Sequence, residues 1–260
     1  MRNWFQKSYM TLVFAFLYLP IAYLIFFSFN EGKSKVIFSG FSLKNYVNLF
    51  QDEQIMQALL NTLIIAAISS IVATIIGTMA AMGIQHLRKL PRNAIMNVTY
   101  IPVLNPDIIT GVSLMLFFSL LGISLGYGTV LLAHITFNIP YVILSVMPKL
   151  RQMDNSIYEA ALDLGAPPTR AFRQAVLPQI MPSIISGFML ALTLSVDDFV
   201  VTFFLKGVEV ETLATVIYTT TKTRINLSMN ALCGVMVVVV LIILIIANLP
   251  PKNEKEARSR

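Results

Sequence analysis

Long apolar runs separated by short polar segments constrain this chain more than any other feature of its sequence. The first run covers residues 8–29, and its 22 residues, at about 1.5 Å each, are enough to cross a hydrocarbon layer of roughly 30 Å. Comparable runs lie at 58–83, 94–120, 128–149, 183–205 and 231–249. The sequence therefore predicts an all-α membrane protein with six transmembrane helices within residues 1–250 and a polar tail at 251–260.

The composition agrees with a protein embedded in a lipid bilayer. Hydrophobic residues make up 56% of the chain and charged residues only 12%, and the mean hydropathy is +0.74, far from the usual soluble composition. The formal net charge of +6 could suggest nucleic acid, but the lysines and arginines are spread over the polar segments between apolar runs. Membrane topology explains them better, and we expect no nucleic-acid partner.

The distribution of basic residues predicts the orientation in the membrane. With six spans both termini lie on one side, and 13 of the 19 lysines and arginines fall on that side, in the N-terminal segment, the 84–93 and 149–182 segments and the tail. By the positive-inside rule these segments and both termini are cytoplasmic. No small-residue cleavage site follows the first run, so we expect an uncleaved signal anchor of a multi-pass membrane protein. The resemblance described below implies that this is the bacterial inner (plasma) membrane.

Two predicted spans contain groups that interrupt a regular helix. Pro102 and Pro106 in the third span remove backbone hydrogen bonds, and such a break is tolerated in lipid only where protein or a water-filled cavity surrounds it. Its bend therefore indicates a pathway. The fourth span contains Asn138 and Pro140 and is expected to be irregular too, while His134 in the same span is expected to donate an interhelical hydrogen bond.

The predicted outer segments carry two local signals. In the loop at 30–57, Ser42 precedes apolar residues at helical spacing, which predicts a short helix along the membrane surface. Residues 122–126 match the G-x-S-x-G pattern of hydrolases, but that elbow needs a strand before it and a helix after it. Here it lies between two spans, so we expect a turn. Residues 206–230 are expected to form a further outer loop.

A polar segment at 156–182 separates the fourth and fifth spans. Ser156 and Glu159 have the spacing of a capping box, and the apolar residues that follow share one helix face. Gly165 can adopt the left-handed conformation that ends a helix, the two prolines after it suit the start of a second helix, and Pro178 is expected to end that helix. The segment is predicted to be a protruding helix–turn–helix that fits a groove of another protein. An ordinary well-capped loop is the alternative.

Three aspartates inside predicted spans are the main candidates for function: Asp107 in the third, and Asp197 and Asp198 in the fifth. A charged aspartate deep in lipid costs at least ~2.5 kcal/mol, so it normally faces a cavity or a partner. Asp107 and Asp197 lie at matching depth, about 20 Å from the cytoplasmic ends of their spans. We expect these aspartates, together with Ser195, to line a cation pathway. Pairing with polar neighbours for folding is the alternative.

Adjacent helix positions differ by about 100°, so Asp197 and Asp198 are not expected to share one helix face. At least one of the two is expected to reach the pathway, and Asp198 is favoured on the resemblance described below.

No motif indicates catalysis by the chain itself. It contains neither G-x-x-x-x-G-K-[ST] nor H-E-x-x-H, so we expect no phosphate loop for ATP and no zinc site. The single cysteine, Cys233, excludes an intrachain disulfide, and two distant histidines cannot build a metal site. No catalytic residue, metal or cofactor is predicted, and any ATP-driven transport would need a separate ATP-hydrolysing subunit.

The chain resembles the MetI-like family of six-span ABC-importer permeases over nearly its whole length, and within that family the permeases of spermidine and putrescine importers. The similar segments are NPDIITGVSLML, AHITFNIPYVI, YEAALDLGA and LTLSVDDFVVTFF. The spacing of the family's EAA motif is followed by Glu159, Ala160, Ala161, Gly165, Leu177 and Pro178. The resemblance implies that these residues belong to a cytoplasmic coupling loop, within residues 150–182, that seats on an ATPase.

The resemblance further implies an assembly around the lipid-embedded chain. Its members are two ATP-binding subunits, a second permease subunit that makes a heterodimer, and an external substrate-binding protein. A polyamine substrate fits the intramembrane carboxylates. Other small solutes remain alternatives, such as a ferric ion, a phosphonate or a thiamine-like cation.

Two readings from other classes compete with an importer permease. An ion-coupled secondary transporter, with the aspartates as a proton relay, predicts internal inverted repeats and more spans, and neither is found. A membrane hydrolase would depend on Ser124 or Ser195 with His134, and it lacks the structural context of that motif.

Overall fold

The computed structural model describes residues 2–32, 34, 36–154, 156–208, 210–223 and 227–247. Within these ranges the protein is helical, and the extended pairing is limited to one isolated bridge between Asn30 and Phe41. The helices are α1 (Arg2–Ser28), α2 (Lys44–Gln51), α3 (Glu53–Gln85), α4 (Lys89–Leu104), α5 (Asp107–Leu120), α6 (Tyr127–Gln152), α7 (Ser156–Asp163), α8 (Pro168–Ala171), α9 (Leu177–Asp197), α10 (Val200–Leu205), α11 (Leu213–Thr223) and α12 (Leu227–Ala247), with a π-helical turn (Phe172–Val176) between α8 and α9.

Four continuous helical segments are long and apolar enough to cross a bilayer: Gln6–Ser28, Glu53–Gln85, Tyr127–Gln152 and Pro168–Asp197. The pair α4 and α5 gives a fifth candidate, bent by 101° at its break. The last apolar segment forms α12, within which Ser228–Val238 is an apolar stretch shorter than a full span. Residues 248–249 of the predicted sixth span and the predicted tail at 251–260 lie outside the described residues. Within the described residues, the all-helical structure thus contains four or five candidate membrane spans.

The predicted interruption of the third span is confirmed. Asn105 and Pro106 leave the helical conformation, with ψ values of 135° and 134°, and α5 begins at Asp107. Pro106 lacks an N–H group, and its ring disfavours the helical conformation for the residue before it, which is why the break falls here. Pro102, by contrast, lies inside α4 without ending it.

Two expectations about helix continuity are wrong. The fourth span is not broken, because α6 continues through both Pro140 and Pro148. The fifth span is broken, because α9 ends at Asp197 and Asp198 has an extended ψ of 122° before α10 begins at Val200. The Asp198 carboxylate accepts the backbone N–H groups of Val201 and Thr202 at 3.1 and 2.8 Å, so the side chain caps the new helix.

The turn between α7 and α8 forms as predicted. Gly165 has a φ of +82°, a conformation that favours glycine. The Gly165 N–H donates to Leu162 O at 2.8 Å and the Ala166 N–H to Ala161 O at 3.1 Å, the pair of bonds that defines a Schellman ending. Pro168 then occupies the first position of α8, where its missing N–H is not needed.

The two ends of this polar segment differ from the prediction. Ser156 is the first residue of α7, and its N–H donates to Asp154 Oδ1 at 2.9 Å, so Asp154 caps the helix. That bond holds the pKa of the Asp154 carboxyl below its ordinary value. Pro178 does not end the second helix. The preceding π-helical turn bonds Leu177 N–H to Phe172 O, and this wider spacing lets the helix continue into α9 although Pro178 lacks a donor.

The chain divides into two compact units, residues 1–56 with 217–260, and residues 57–216. In the first unit α1 and α2 pack against α12. The predicted surface helix is α2, and Ser42 Oγ accepts the Lys44 N–H at 3.2 Å. The Tyr46 hydroxyl lies 2.8 Å from the hydroxyl of Ser28 at the end of α1. The predicted outer loop at 206–230 is not wholly irregular, because it contains α11.

The second unit is organised around α6, which packs against α9 along most of its length and also contacts α4, α5 and α10. Its buried core includes Val142, Val146 and Met147 on α6 and Ile180 and Ala191 on α9. Glycines allow the closest helix contacts. An added Cβ at Gly77 of α3 would lie 2.8 Å from Val142 Cβ and 3.2 Å from Ile139 O. The close approach of α3 and α6 therefore requires a residue without a side chain at position 77.

This contact predicts a stability difference within one helix. Gly77→Ala should destabilise the protein by about 1–3 kcal/mol, because the added methyl group overpacks a buried backbone contact. Gly83→Ala on the same helix is the matched control, since nothing lies within 4 Å of a Cβ there, and it should be neutral or slightly stabilising. The thermal unfolding midpoints of both variants in detergent measure the difference. Equal midpoints would contradict the α3–α6 approach.

Candidate substrate cavity and coupling surface

A cavity of about 220 Å³ in the second unit contains all three predicted intramembrane aspartates. Asp107 stands at the start of α5, and Asp197 and Asp198 stand at the break between α9 and α10. Aromatic side chains of Phe137, Tyr141 and Phe199 form further parts of the wall. The cavity therefore lies where two interrupted helices meet, and it combines carboxylates with aromatic surface.

The helix break explains why adjacent aspartates reach one cavity. On a continuous helix the two side chains would point about 100° apart, and on that basis they were not expected to share a face. Asp197 is instead the last residue of α9, and the extended backbone of Asp198 turns its side chain back. Both residues line the same cavity.

The helices α5 and α10, which both begin at the cavity, pack against each other. Gly111 of α5 makes this possible, since a Cβ there would lie 3.1 Å from a ring carbon of Phe204 and 3.4 Å from Val201 Cα. Asp107 is in the first turn of α5, where the partial positive charge of the helix N-terminus stabilises a carboxylate by about 0.3–1 kcal/mol. The arrangement favours an anionic cavity wall.

The three carboxylates differ in their exposure and in the contacts that they make with other protein groups. Asp107 and Asp197 are exposed, and neither forms an ion pair with any described residue. The Asp198 side chain is only 8% exposed. Its Oδ2 accepts from the Thr202 N–H at 2.8 Å and the Thr202 hydroxyl at 2.7 Å, and it lies 3.4 Å from His134 Nε2. Asp107 and Asp197 therefore remain open to a ligand, whereas Asp198 is held.

Ser195 lies in a buried polar cluster and is not among the residues that line this cavity. The Asn138 side-chain N–H donates to Ser195 Oγ at 2.7 Å, and Ser195 Oγ lies 3.1 Å from Ser69 Oγ. Ser195 therefore links α3, α6 and α9 in the structure, and its expected role in the pathway stays a prediction. The sequence carries a weak signal for this cluster, since a serine and an asparagine inside apolar runs need hydrogen-bond partners.

The other polar groups weighed in the sequence have local roles. His134 makes the predicted interhelical hydrogen bond, with Nε2 at 3.0 Å from Thr202 Oγ1. Ser124 lies in a turn between α5 and α6 that starts at Gly122, whose φ is +68°, so the G-x-S-x-G match is a turn as expected. His86 directly follows α3, and its Nδ1 lies 2.8 Å from Met82 O in the last turn of that helix. No cluster of potential metal ligands occurs in the described part of the chain.

The predicted coupling segment exposes its first helix. Glu159 and Ala160 are exposed on α7 and Ala161 is half-buried, while Ile157 is 50% and Leu164 89% exposed. The second helix faces inward, because Phe172 and Val176 pack against the core of α6 and α9. Leu177 is half-buried, and Gly165 and Pro178 are exposed. The most exposed large apolar side chains of this segment, Ile157 and Leu164, therefore lie on α7 and in the turn after it.

These features define the class of a membrane-embedded transport subunit, with broken helices around a polar cavity and an exposed helical hairpin. The family of binding-protein-dependent transport system inner membrane components matches residues 73–250. The chain belongs to this family, the MetI-like permeases of ABC importers, which confirms the resemblance found in the sequence. It is a permease subunit, and in such transporters ATP hydrolysis resides in a separate subunit.

Curated relatives agree with this assignment over nearly full length. The spermidine/putrescine transport system permease protein PotC of Haemophilus influenzae is 36% identical over 248 residues, which are 95% of this chain and 96% of the relative. PotC of Escherichia coli K12 is 34% identical, over 98% and 96%. The putrescine transport system permease protein PotI of E. coli K12 is 38% identical, over 84% and 80%.

Solved structures share the fold at lower sequence identity. A bacterial ABC transporter that imports the acidic polysaccharide alginate matches with a TM-score of 0.71 and 20% identity, over 95% of this chain and 94% of that chain. The MetNI methionine ABC transporter matches with a TM-score of 0.60 and 20% identity, over 75% and 95%. These similarities confirm an ABC importer permease fold.

The buried position of Ser195 predicts a structural phenotype. Ser195→Ala should destabilise the protein by about 1–3 kcal/mol, because the Asn138 side-chain N–H loses its buried acceptor. Ser186→Ala on the same helix is the control, since that hydroxyl is exposed and bonds Pro182 O of its own helix at 2.9 Å. Thermal unfolding and transport KM should be measured together. A changed KM with unchanged stability would contradict a purely structural role and support the predicted pathway role of Ser195.

Proposed function

We propose that this chain is the permease subunit of an ATP-driven importer of polyamines such as spermidine and putrescine. The observation that carries the proposal is the acidic cavity at the two helix breaks, with Asp107 and Asp197 open and unpaired among the described residues. The names of the PotC and PotI relatives support the same substrate class.

The chemistry of polyamines matches the cavity wall. Their amino groups, like that of lysine with a pKa of about 10.4, are protonated at neutral pH, so carboxylates are the complementary groups. Methylene segments lie between the ammonium groups and need apolar surface. Phe137, Tyr141 and Phe199 supply it, and their ring faces also attract cations. A cavity of about 220 Å³ is suited to one section of a flexible chain at a time.

The proposed assembly follows the family. The chain crosses the inner membrane six times with both termini in the cytoplasm, and it pairs with a second permease subunit as a heterodimer. Two ATP-binding subunits seat on the coupling loops, and an external binding protein delivers the substrate. The alginate transporter, crystallised with its substrate-bound periplasmic protein, supports the last of these contacts. The basic residues at 84–93 and 149–182 support the orientation.

The continuous helix Pro168–Asp197 suggests how ATP hydrolysis reaches the cavity. The coupling residues Glu159, Ala160, Ala161 and Gly165 lie on α7 and its turn, and Leu177 and Pro178 start α9. Movement of α7 with an ATPase subunit would displace α8 and the π-helical turn that α7 contacts. Because α9 ends at Asp197, the same displacement would move one open carboxylate of the cavity.

The open carboxylates predict a loss of affinity when their charge is removed. In the complex co-expressed with its genomic neighbours, Asp197→Asn or Asp107→Asn should raise the KM for labelled spermidine about tenfold or more, because each removes a charge-assisted contact. Glu53→Gln is the control, since Glu53 is an exposed carboxylate at the start of α3 and outside the cavity.

Two outcomes would contradict this reading. An unchanged KM in both aspartate variants would make the aspartates structural groups. Absence of spermidine uptake by an assembled, ATP-hydrolysing wild-type complex would remove polyamines as the substrate and leave another small solute.

The coupling surface predicts a separate defect. Glu159→Lys should abolish uptake while ATP hydrolysis by the complex continues, because a reversed charge on exposed α7 breaks its contact with the ATPase subunit. Glu53→Lys is matched, since it too reverses an exposed glutamate in the first turn of a helix, and it should leave uptake intact. Parallel assays of ATP hydrolysis and uptake in proteoliposomes measure the effect. Normal coupled uptake in Glu159→Lys would refute the role of α7.

A further inference from the structure

We propose that His134 is a positioning residue of the substrate cavity, which acts through Thr202 to hold the Asp198 carboxylate on the N-terminus of α10. The proposal rests on the proposed transport function for its kinetic readout. It adds to that function a division among the cavity carboxylates: Asp107 and Asp197 contact the substrate directly, while Asp198 is a fixed negative charge whose orientation is set from α6.

The contacts that carry this inference connect two helices. His134 lies on α6 and is 1% exposed. Its Nε2 lies 3.0 Å from Thr202 Oγ1 and 3.4 Å from Asp198 Oδ2. Thr202 is fully buried on α10, and its hydroxyl donates to Asp198 Oδ2 at 2.7 Å. The Phe137 ring packs beside the imidazole, with 5.1 Å between the ring centroids.

The hydrogen bonds assign the proton of the imidazole. A threonine hydroxyl has one hydrogen, and that of Thr202 points to Asp198 Oδ2, so its oxygen can only accept from His134. Nε2 must therefore carry a proton. Nδ1 is buried and has no partner among the described residues, so the other ring nitrogen offers no competing orientation. The imidazole is a one-sided donor directed at the Asp198 cluster.

The consequence for the cavity is a restriction on one carboxylate. Asp198 Oδ2 is occupied by the Thr202 N–H, the Thr202 hydroxyl and the His134 contact, and Oδ1 by the Val201 N–H at 3.1 Å. Without the imidazole N–H, the Thr202 hydroxyl loses its donor and the carboxylate loses one of the groups that balance its charge. Asp198 could then rotate toward the substrate or leave α10 uncapped, and either change alters binding.

Two pairs of substitutions, one at His134 and one at Thr202, test this geometry. The amide N–H₂ of glutamine can reach the position of Nε2, whereas the shorter asparagine cannot. In the complete reconstituted complex, H134Q should keep the spermidine KM within about twofold, and H134N should raise it about tenfold, the effect of one lost hydrogen bond to a charged group. T202S, which keeps the hydroxyl, and T202V, which removes it at equal size, form a second pair with the same expected order.

Several kinetic results would overturn the proposal. One is an unchanged KM for both H134N and T202V in assembled complexes. Equal defects in H134Q and H134N would do the same, because they would show no dependence on the Nε2 donor. Failure of both H134N and T202V to assemble would make the cluster part of the fold only, and would also count against a positioning role.

A spectroscopic measurement separates this proposal from the proposed function. The difference between ¹⁵N-histidine spectra of the wild-type and H134Q complexes isolates the ring of His134. We expect a proton on Nε2 and a shifted Nε2 signal in T202V but not in T202S. A ring protonated only on Nδ1 would overturn the proposal whatever the substrate. Absence of spermidine uptake by the wild type would instead contradict the proposed function, and the spectrum would still decide whether the cluster forms.

Discussion

The need to satisfy every backbone polar group in a medium without water governs this structure. An uninterrupted helix meets that need by itself, so each interruption within an apolar span must be compensated by other protein groups or by water in a cavity. Among the residues that the structure describes, two such interruptions lie at Asn105–Pro106 and at Asp198–Phe199, and both border the same cavity. At the second, a side-chain carboxylate accepts the backbone N–H groups that the break exposes. The position of the cavity thus follows from where the helices are broken.

The two breaks are compensated in different ways, and this explains why Asp198 has a structural role whereas Asp107 stays exposed. At the first break a proline removes one donor, so fewer groups need partners, and the neighbouring Asp107 stays exposed. At the second break no proline is present, and the freed N–H groups of Val201 and Thr202 need an acceptor. Asp198 supplies it and is buried as a result. A carboxylate committed to a helix N-terminus has little capacity left for a substrate, which is why three similar residues have unlike surroundings.

Part of this fold follows from local signals in the sequence. Apolar runs and prolines predicted the helical class and the bend of the third span, because both are local signals. Glycine and proline spacing likewise predicted the turn after α7. The break at Asp198 was missed because an aspartate in an apolar run is read as a charge that needs a cavity, and nothing local marks it as a cap.

Other features of the structure depend on the arrangement of neighbouring helices, which local sequence signals do not reveal. Ser195 lies in a buried polar cluster with Ser69 and Asn138, whereas Asp197, two positions later, lines the cavity, and this difference depends on how α3 and α6 pack around α9. Asn138 and Pro140 were expected to make α6 irregular, but a helix packed on several sides can continue through its prolines where neighbours support it. The π-helical turn before Pro178 likewise depends on the packing of Phe172 and Val176 against the core.

A transport cavity has to bind its substrate strongly enough to accept it and weakly enough to release it. Three fully open carboxylates facing a polycation would favour tight retention, since each contact with a charged partner adds about 1.5–3 kcal/mol. Holding Asp198 in a hydrogen-bonded cluster leaves its charge near the cavity while removing most of its capacity for direct bonds. In the proposed binding mode, the wall attracts cations through three charges but contacts them directly through only two. Because Asp197 ends the helix that begins at Pro168, movement of the proposed coupling segment would alter one of those two proposed contacts. The helix break at Asp198 would therefore place a movable contact and a fixed charge at adjacent positions in the chain.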